Sequence, residues 1–261
     1  MAEMTMLSLG WGLQSFTLAA MSALGELPKA VAIHADTTHE KTATYAFAER
    51  WTPWLMKHGI QVVTVQAQVP QLQEGGVALA SGLFIPAFTR SGSGQAGRLK
   101  RQCTERWKIQ PIRKWVRAEL KQRGLTASPG VVDMWLGISL DEAERAKSSQ
   151  VKYISMRWPL LERRMRRTDC IRWLQGHDLE VPPKSACVFC PFHNNAHWRE
   201  LDPQDWQKAV RVDEVIRHTR PKHTCYLHRD RVPLAEVDLR TLQERGQLDL
   251  FQDECSGHCF L

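Results

Sequence analysis

The cysteines are the residues whose type and spacing point most directly to chemistry. The chain of 261 residues contains seven: Cys103, Cys170, Cys187, Cys190, Cys225, Cys255 and Cys259. Cys187-Val-Phe-Cys190 is a C-x-x-C turn, a spacing that lets two thiolates share one metal ion or cluster. Cys255 and Cys259 form a second close pair. Four soft thiolates suit zinc or an iron–sulfur cluster, so these pairs indicate metal binding or redox chemistry.

A glycine-rich segment, Ser8-Leu-Gly-Trp-Gly-Leu-Gln-Ser15, has the composition of an anion-binding turn. Gly10 and Gly12 allow the backbone to approach a ligand closely, and Ser8 and Ser15 add hydroxyl donors. Backbone N–H groups at such a turn and at a helix N-terminus bind phosphate. The segment is neither a Walker A loop nor G-x-G-x-x-G. A purely structural strand-to-helix turn would have a similar sequence.

Alternating strand and helix patterns must position these residues. Apolar runs predict strands at residues 4–9, 30–34, 61–65 and 131–138, and helical patterns predict helices at residues 15–24, 42–58, 104–121 and 168–177. Such alternation is typical of βαβ units. We therefore predict an α/β fold with three layers, a mostly parallel twisted sheet with helices on both faces. The change in composition predicts domains at 1–150, an α/β domain, and 151–261, an Arg-, Trp- and Cys-rich part packed on the first.

Asp36 and Thr37 follow the second predicted strand. Because ligands of an open parallel sheet bind at the carboxyl ends of its strands, Asp36 is a candidate for binding a ribose, an adenine or a phosphate partner. The alternative is that Asp36 caps the helix that follows.

The charge of the chain favours an anionic partner. Lys and Arg total 35 against 28 for Asp and Glu, a net charge of +7, which suits a nucleotide or a nucleic acid as well as a mildly basic solvated surface. Six arginines interleave with Trp158 and Trp173 and suit phosphate, sulfate, RNA or DNA, or a solvated basic face; they are Arg157, Arg163, Arg164, Arg166, Arg167 and Arg172. With no apolar run of about 18 residues and no basic leader, we expect a cytoplasmic protein without a membrane partner.

Several segments together resemble the phosphoadenylyl-sulfate (PAPS) reductase-like family of the PP-loop, or adenine nucleotide alpha-hydrolase, superfamily. Asp36-Thr-Thr-His-Glu40 followed by Thr44-Tyr45 is similar to a superfamily turn. Gly12-Leu-Gln14 looks closer to the Phe-Gly-x-Gln of sulfonucleotide reductases than to the Ser-Gly-Gly-x-Asp-Ser of ATP pyrophosphatases. Residues 103–112 match the reductases' Cys-Cys-x-x-Arg-Lys-x-x-Pro-Leu segment at the first Cys, the Lys and the Pro, and residues 137–145 are similar to their nucleotide loop. The resemblance spans roughly residues 4–195.

The resemblance implies an enzyme that binds an adenine nucleotide, either PAPS or APS, or ATP with Mg. It implies nucleotide-binding roles for nine residues: Ser8, Gly10, Gly12, Gln14, Ser15, Asp36, Thr37, Gly137 and Arg145.

The resemblance also implies a [4Fe–4S] cluster, for which the chain offers two ligand sets. Thr104 stands where the family's second adjacent Cys would be. The preferred set is Cys103, Cys187, Cys190 and Cys259, which leaves Cys255, in a Glu-Cys-Ser match to the family's Glu-Cys-Gly tail, as the catalytic thiol. The rival set is Cys187, Cys190, Cys255 and Cys259. A structural zinc site is the alternative to the cluster.

Three functional hypotheses follow. The first is a reductase in which the Cys255 thiolate attacks the sulfur of an adenylyl sulfate, with a thiol carrier protein such as thioredoxin as partner. The second is an ATP-dependent enzyme that adenylates and sulfur-modifies RNA or DNA. The third is a nucleotide sensor without turnover. A homodimer is a further candidate assembly.

Overall fold

The structure, a computed structural model, describes residues 2–66, 85–240 and 244. Its strands are β1 Met4–Ser8, β2 Val31–Asp36, β3 Val62–Gln66, β4 Phe88–Ser91, β5 Ala96–Arg98, β6 Val132–Trp135, β7 Ile154–Arg157 and β8 His223–Tyr226. Its α-helices are α1 Leu13–Leu24, α2 Thr42–Lys57, α3 Gln110–Gln122, α4 Pro159–Glu162, α5 Arg167–Gly176, α6 Asn195–Arg199 and α7 Pro203–Ile216. No helix in this part of the chain is long and apolar enough to cross a membrane.

The chain forms two compact units. Unit 1 comprises Met1–Ala67 and Trp107–Ser185, and unit 2 comprises Gln68–Arg106 and Ala186–Leu261. Unit 1 therefore extends past residue 150, where the change in composition placed a boundary. Whether 1–150 and 151–261 fold as separate domains stays a prediction.

Unit 1 contains a parallel sheet with strand order β3-β2-β1-β6-β7. The short apolar runs of the sequence form its central strands because both faces of a parallel sheet are covered. On one face, α1, α2 and α5 bury Phe16, Phe47 and Leu174. On the other face, α3 buries Ile112 and Val116. This confirms the predicted three-layer α/β fold with helices on both faces.

The strand order places a topological switch point between β1 and β6. From β1 the chain adds β2 and then β3 on one side, and later returns to add β6 and then β7 on the other side. The loops that leave the carboxyl ends of β1 and β6 therefore diverge, and they open the crevice in which sheets of this kind bind ligands.

The helix predicted at residues 104–121 is present, and its first part is irregular. Residues 103–104 are helical, Glu105–Ile109 form a π-helical turn, and α3 continues from Gln110 with Pro111 in its first turn. Proline lacks the N–H group that would donate to the carbonyl four residues earlier, and its ring clashes with the preceding turn. The position of Pro111 thus explains why regular α-helical geometry starts only at Gln110.

Unit 2 contains the antiparallel sheet β5-β4-β8 together with α6 and α7. Asp213 on α7 is buried and accepts hydrogen bonds from the N–H groups of Leu227 (2.7 Å) and Leu234 (2.9 Å). It also pairs with Arg217, whose guanidinium lies 4.6 Å from the Tyr226 ring centroid. These contacts fix the segment after β8 on α7, since a buried carboxylate needs such donors.

Candidate nucleotide site

The glycine-rich turn lies at the switch point, between β1 and α1. Ser8 ends β1, and Trp11 adopts a left-handed backbone conformation (φ 54°) while its side chain is buried. The Gly10 N–H donates to Ser15 Oγ (3.2 Å), and that hydroxyl donates to the Gly12 carbonyl (3.2 Å). Ser15, which is predicted to bind nucleotide, thus stabilises the conformation of the turn through these two hydrogen bonds.

The first turn of α1 has the properties of an anion-binding helix terminus. Gly12 is its N-cap and has no side chain to cap the helix, and the first turn carries no acidic residue. Because α1 follows the carboxyl end of β1, its N-terminal N–H groups lie at the ligand-binding edge of the sheet. The positive end of the helix dipole adds to their attraction for phosphate or sulfate.

Gly137, in the loop after β6, packs directly on this terminus. A Cβ atom at Gly137 would lie 2.6 Å from the Ser15 nitrogen, 2.8 Å from the Gln14 carbonyl carbon and 3.0 Å from the Gln14 Cβ. Two of these are rigid backbone atoms of α1, so only glycine fits. The loop after β6 therefore contacts the first turn of α1 at residues 14, 15 and 137, at one end of the crevice.

Gln14 joins two further segments of unit 1, the loop after β6 and the start of α5. Its amide Nε2 donates to Glu142 Oε2 (2.8 Å) and Ser139 Oγ (3.3 Å), and its Oε1 accepts from Arg167 Nη1 (3.0 Å). Glu142 in turn pairs with the buried Arg145 (2.6 Å). Two residues predicted to bind nucleotide, Gln14 and Arg145, thus belong to one buried network that holds the loop after β6 against α1.

Asp36 lies at the carboxyl end of β2 as predicted, and it does not cap α2, whose N-cap is Lys41. Its Oδ1 accepts from the Tyr45 hydroxyl (2.7 Å) and the Thr38 N–H (2.7 Å), and its Oδ2 accepts from Gln66 Nε2 (3.0 Å). Burial raises the pKa of Asp36, but these hydrogen bonds outweigh burial and lower its pKa below the ordinary value. Asp36 is therefore a carboxylate at neutral pH.

Three buried or partly buried groups near Asp36 were given no nucleotide-binding role in the sequence analysis: His34, Glu40 and Lys108. His34 Nδ1 donates to the Leu9 carbonyl (3.0 Å), and burial lowers the pKa of His34, so the imidazole is neutral at pH 7. Lys108 Nζ lies 2.9 Å from Oε1 of Glu40, whose side chain is only 2% exposed. The buried Thr37 hydroxyl lies 3.3 Å from the same oxygen. Only the resemblance singled out Glu40 and Lys108, because a pair 68 residues apart leaves no local pattern.

In unit 2, Cys187 and Cys190 occupy a turn in which the Cys190 N–H donates to the Cys187 carbonyl (3.1 Å). The same carbonyl accepts from Nε2 of the buried His193 (3.0 Å). Within the described ranges, no group of three or more His, Cys, Asp or Glu side chains is placed to hold a metal ion. Cys103 is thus not grouped with the Cys187–Cys190 pair as a set of three ligands.

The remaining cysteines differ in burial. Cys170 on α5 is fully buried, and desolvation raises the pKa of its thiol to about 11, which agrees with a packing role. Cys225 on β8 is also fully buried, and desolvation raises its pKa. Cys255 and Cys259, the predicted nucleophile and ligand, lie outside the described residues.

The six arginines of residues 157–172 are largely engaged within unit 1. Arg157 pairs with Glu162 (2.9 Å), Arg163 with Glu26 (3.3 Å) and Arg172 with Asp169 (2.8 Å). Arg167 donates to Gln14, as described above, and Trp173 Nε1 donates to Glu26 (3.0 Å). The ion pairs compensate three of the six charges, and Arg164, Arg166 and Arg167 form no ion pair within the described residues.

Comparison with known proteins gives a structural likeness only. The chain matches no protein-family model, and no curated protein matches it in sequence. A crystal structure of phosphoadenylyl-sulfate (PAPS) reductase from Candida auris, in complex with phosphate, is similar over 70% of this chain and 76% of the reductase chain. The TM-score is 0.43 and the sequence identity is 11%.

Proposed function

We propose that the chain is an enzyme that binds an adenine nucleotide at the switch point of unit 1, with phosphate or sulfate groups at the N-terminus of α1. One observation carries the proposal, the fit of Gly137 against the backbone of the first turn of α1. This contact brings two backbone segments together at the ligand-binding edge of the sheet, where the helix terminus attracts an anion. The neighbouring Asp36 carboxylate suits the hydroxyl or amino donors of a nucleoside.

The network around Gln14 supports a sulfonucleotide rather than ATP as the nucleotide. ATP pyrophosphatases, which this chain resembles less, carry an aspartate at the matching position. Here a carboxylate at position 14 would face Glu142 Oε2, which now accepts a hydrogen bond from the Gln14 amide (2.8 Å). Two facing carboxylates repel each other, so this site is built for an amide.

The proposed reaction is thiol-dependent reduction of an adenylyl sulfate. The Cys255 thiolate attacks the sulfur, an S–S bond forms, and the bond from sulfur to the bridging phosphate oxygen breaks with release of the nucleotide. A thiol carrier such as thioredoxin then attacks Cys255 Sγ, forms a mixed disulfide and releases sulfite, which takes the electron pair. The alternative activity is ATP-dependent adenylation and sulfur modification of RNA or DNA.

Calorimetric titration under anaerobic conditions tests the nucleotide. We expect adenosine 3′,5′-bisphosphate and PAPS to bind at least about tenfold more tightly than ATP with Mg²⁺, a difference of about 1.4 kcal/mol. Preference for ATP would contradict the reductase proposal and favour the ATP-dependent alternative, with release of pyrophosphate as the next assay. Absence of binding by all three ligands would contradict the proposed nucleotide site itself.

A four-thiolate metal site in unit 2 is a further part of the proposal. Cys187 and Cys190 supply two soft donors from one turn, which suits a [4Fe–4S] cluster or zinc. The sequence offers two ways to complete the site: Cys103 with Cys259, or Cys255 with Cys259. The first set leaves Cys255 free and is the one compatible with the proposed reaction, whereas the second set would make Cys255 a metal ligand and exclude it as the nucleophile.

Metal analysis of anaerobically purified protein separates these arrangements. We expect four iron atoms per chain, loss of the metal in Cys187→Ser and in Cys103→Ser, and its retention in Cys255→Ser. Stoichiometric zinc without iron would contradict the cluster. Loss of metal in Cys255→Ser with retention in Cys103→Ser would establish the second ligand set and contradict Cys255 as the nucleophile.

A further inference from the structure

The outward face of α3 carries a dense row of positive charge. Lys114, Arg117 and Lys121 are exposed, whereas the opposite side of the helix buries Ile112, Val116 and Leu120 in the core of unit 1. Arg113 adds a further, partly exposed charge to the same helix. The helix contains one acidic residue, Glu119, which pairs with Arg123 just beyond the helix end (2.7 Å).

The row has the regularity of a linear binding surface. Residues 114, 117 and 121 are separated by three and then four positions, so their side chains project from the same side of the helix. Over these residues the helix rises about 10 Å, which matches roughly three 3.4 Å steps along one strand of a nucleic-acid duplex. The Arg117 guanidinium lies 5.7 Å from the ring centroid of the buried Tyr153, a cation–π contact that positions its charge.

The row differs from the arginines of residues 157–172. There, Arg157, Arg163 and Arg172 are each paired with a carboxylate. No ion pair is formed by Lys114, Arg117 or Lys121 within the described part of the chain. Arg164, Arg166 and Arg167 of that region also form no ion pair within the described residues, and Arg167 is hydrogen-bonded to Gln14. What distinguishes α3 is therefore the alignment of its unpaired charges on one side of a single helix, and not their number.

The residue types on the outward face of α3 favour a nucleic acid over a membrane surface or a stable protein partner. A membrane-surface helix inserts an apolar face into the lipid, but the apolar face of α3 is used in the core of unit 1. A stable protein partner is held by apolar and aromatic anchors, and the exposed positions of α3 beside the basic residues are Gln110, Ala118 and Gln122. Phosphodiester backbones need only charge and hydrogen-bond donors.

We propose that the outward face of α3 binds the phosphodiester backbone of a nucleic acid, with Lys114, Arg117 and Lys121 as the contacting residues. Binding of this kind is independent of base sequence and weakens with salt, because each neutralised phosphate releases counterions. The proposal goes beyond the nucleotide site and does not depend on whether that site prefers a sulfonucleotide or ATP.

Fluorescence anisotropy with fluorescein-labelled 20-nucleotide RNA, single-stranded DNA and duplex DNA, from 50 to 200 mM KCl, tests the proposal. The variant Lys114→Gln/Arg117→Gln/Lys121→Gln should bind at least about tenfold more weakly than wild type at 100 mM KCl. The slope of log affinity against log salt should fall in magnitude by about 2 to 3. The matched control, Arg157→Gln/Arg163→Gln/Arg172→Gln, removes the same charge from arginines that are already paired with carboxylates and should change affinity by less than about threefold.

Three outcomes would overturn the proposal. They are absence of oligonucleotide binding by wild type at 50 mM KCl, an equal loss of binding in the control variant, and binding to phosphatidylserine vesicles with none to any oligonucleotide. Titration of the α3 variant with adenosine 3′,5′-bisphosphate keeps the two proposals apart. An unchanged nucleotide affinity assigns a loss of oligonucleotide binding to α3, and failure of nucleotide binding in wild type affects only the proposed nucleotide site.

Discussion

Replacing Gly137 with alanine is expected to lower nucleotide affinity by about 100-fold, because the added methyl group would force the loop after β6 away from α1. The Cβ atom would lie 2.6 Å from the Ser15 nitrogen and 2.8 Å from the Gln14 carbonyl carbon, and neither backbone atom can rotate aside. A shift of about 1 Å at a site that depends on position costs on the order of 10²-fold. The overpacking should also lower the free energy of unfolding by about 3 kcal/mol. Calorimetry with adenosine 3′,5′-bisphosphate and urea denaturation measure the two effects.

Gly176→Ala is the matched control, since it adds the same methyl group at the end of α5. No heavy atom lies within 4 Å of a Cβ at that position. Alanine also has the higher helix propensity, so this variant should be as stable as wild type or slightly more stable. If Gly137→Ala retained wild-type affinity and stability, the close approach of the two loops would not be what forms the site.

The sequence predicted those helices and strands whose pattern of apolar and polar residues lies within a single segment of the chain. The apolar runs before and after the glycine-rich turn, and the helical periods that follow, gave β1, α1, β2, α2 and β3 within a few residues. Each of these elements is buried on a face set by its own period, so a single segment carries the signal. The π-helical turn ahead of Pro111 is also explicable from the sequence, because proline cannot donate the backbone hydrogen bond of a regular α-helix at that position.

The contacts of the site could not be predicted in the same way. Gln14 and Glu142 are 128 residues apart and Gln14 and Arg167 are 153 apart. Their pairing depends on the strand order, which brings the loop after β6 beside α1. Ligand contacts of Gln14 and Ser15 stay predictions, and the structure adds that their side chains hold the turn and the neighbouring loop.

The pairing of charges could not be predicted for a related reason. Residues 157–172 contain more arginines than α3 contains basic residues. The number of arginines in a segment does not show which of them form ion pairs with carboxylates elsewhere in the chain. Arg163 is paired with Glu26, 137 residues away. On α3 the basic residues share one exposed side because the helix period keeps Ile112, Val116 and Leu120 on the other side. Net surface charge thus depends on tertiary pairing more than on composition.

Replacing Lys108 with methionine is expected to lower the free energy of unfolding by about 3 kcal/mol. The Glu40 side chain is 2% exposed and would lose the ammonium group 2.9 Å from its Oε1 while staying buried. Removing one partner of a buried pair leaves a charge that the interior solvates poorly, which costs about 3–5 kcal/mol. We place the effect at the lower end because a quarter of the Lys108 side chain is exposed. Urea denaturation followed by circular dichroism measures it.

A double variant distinguishes the electrostatic effect on Glu40 from the loss of packing by the aliphatic part of the Lys108 side chain. Glu40→Gln/Lys108→Met removes both charges, so it should recover most of the loss and lie within about 1 kcal/mol of wild type. Glu40→Gln alone should cost less than Lys108→Met, because the partly exposed ammonium can be hydrated whereas the buried carboxylate cannot. A double variant no more stable than Lys108→Met would show that the pair contributes through shape and not through charge. The end of β2 would then be held by the hydrogen bonds of Asp36, and the buried pair would have no separate electrostatic role in positioning Asp36 for a nucleotide.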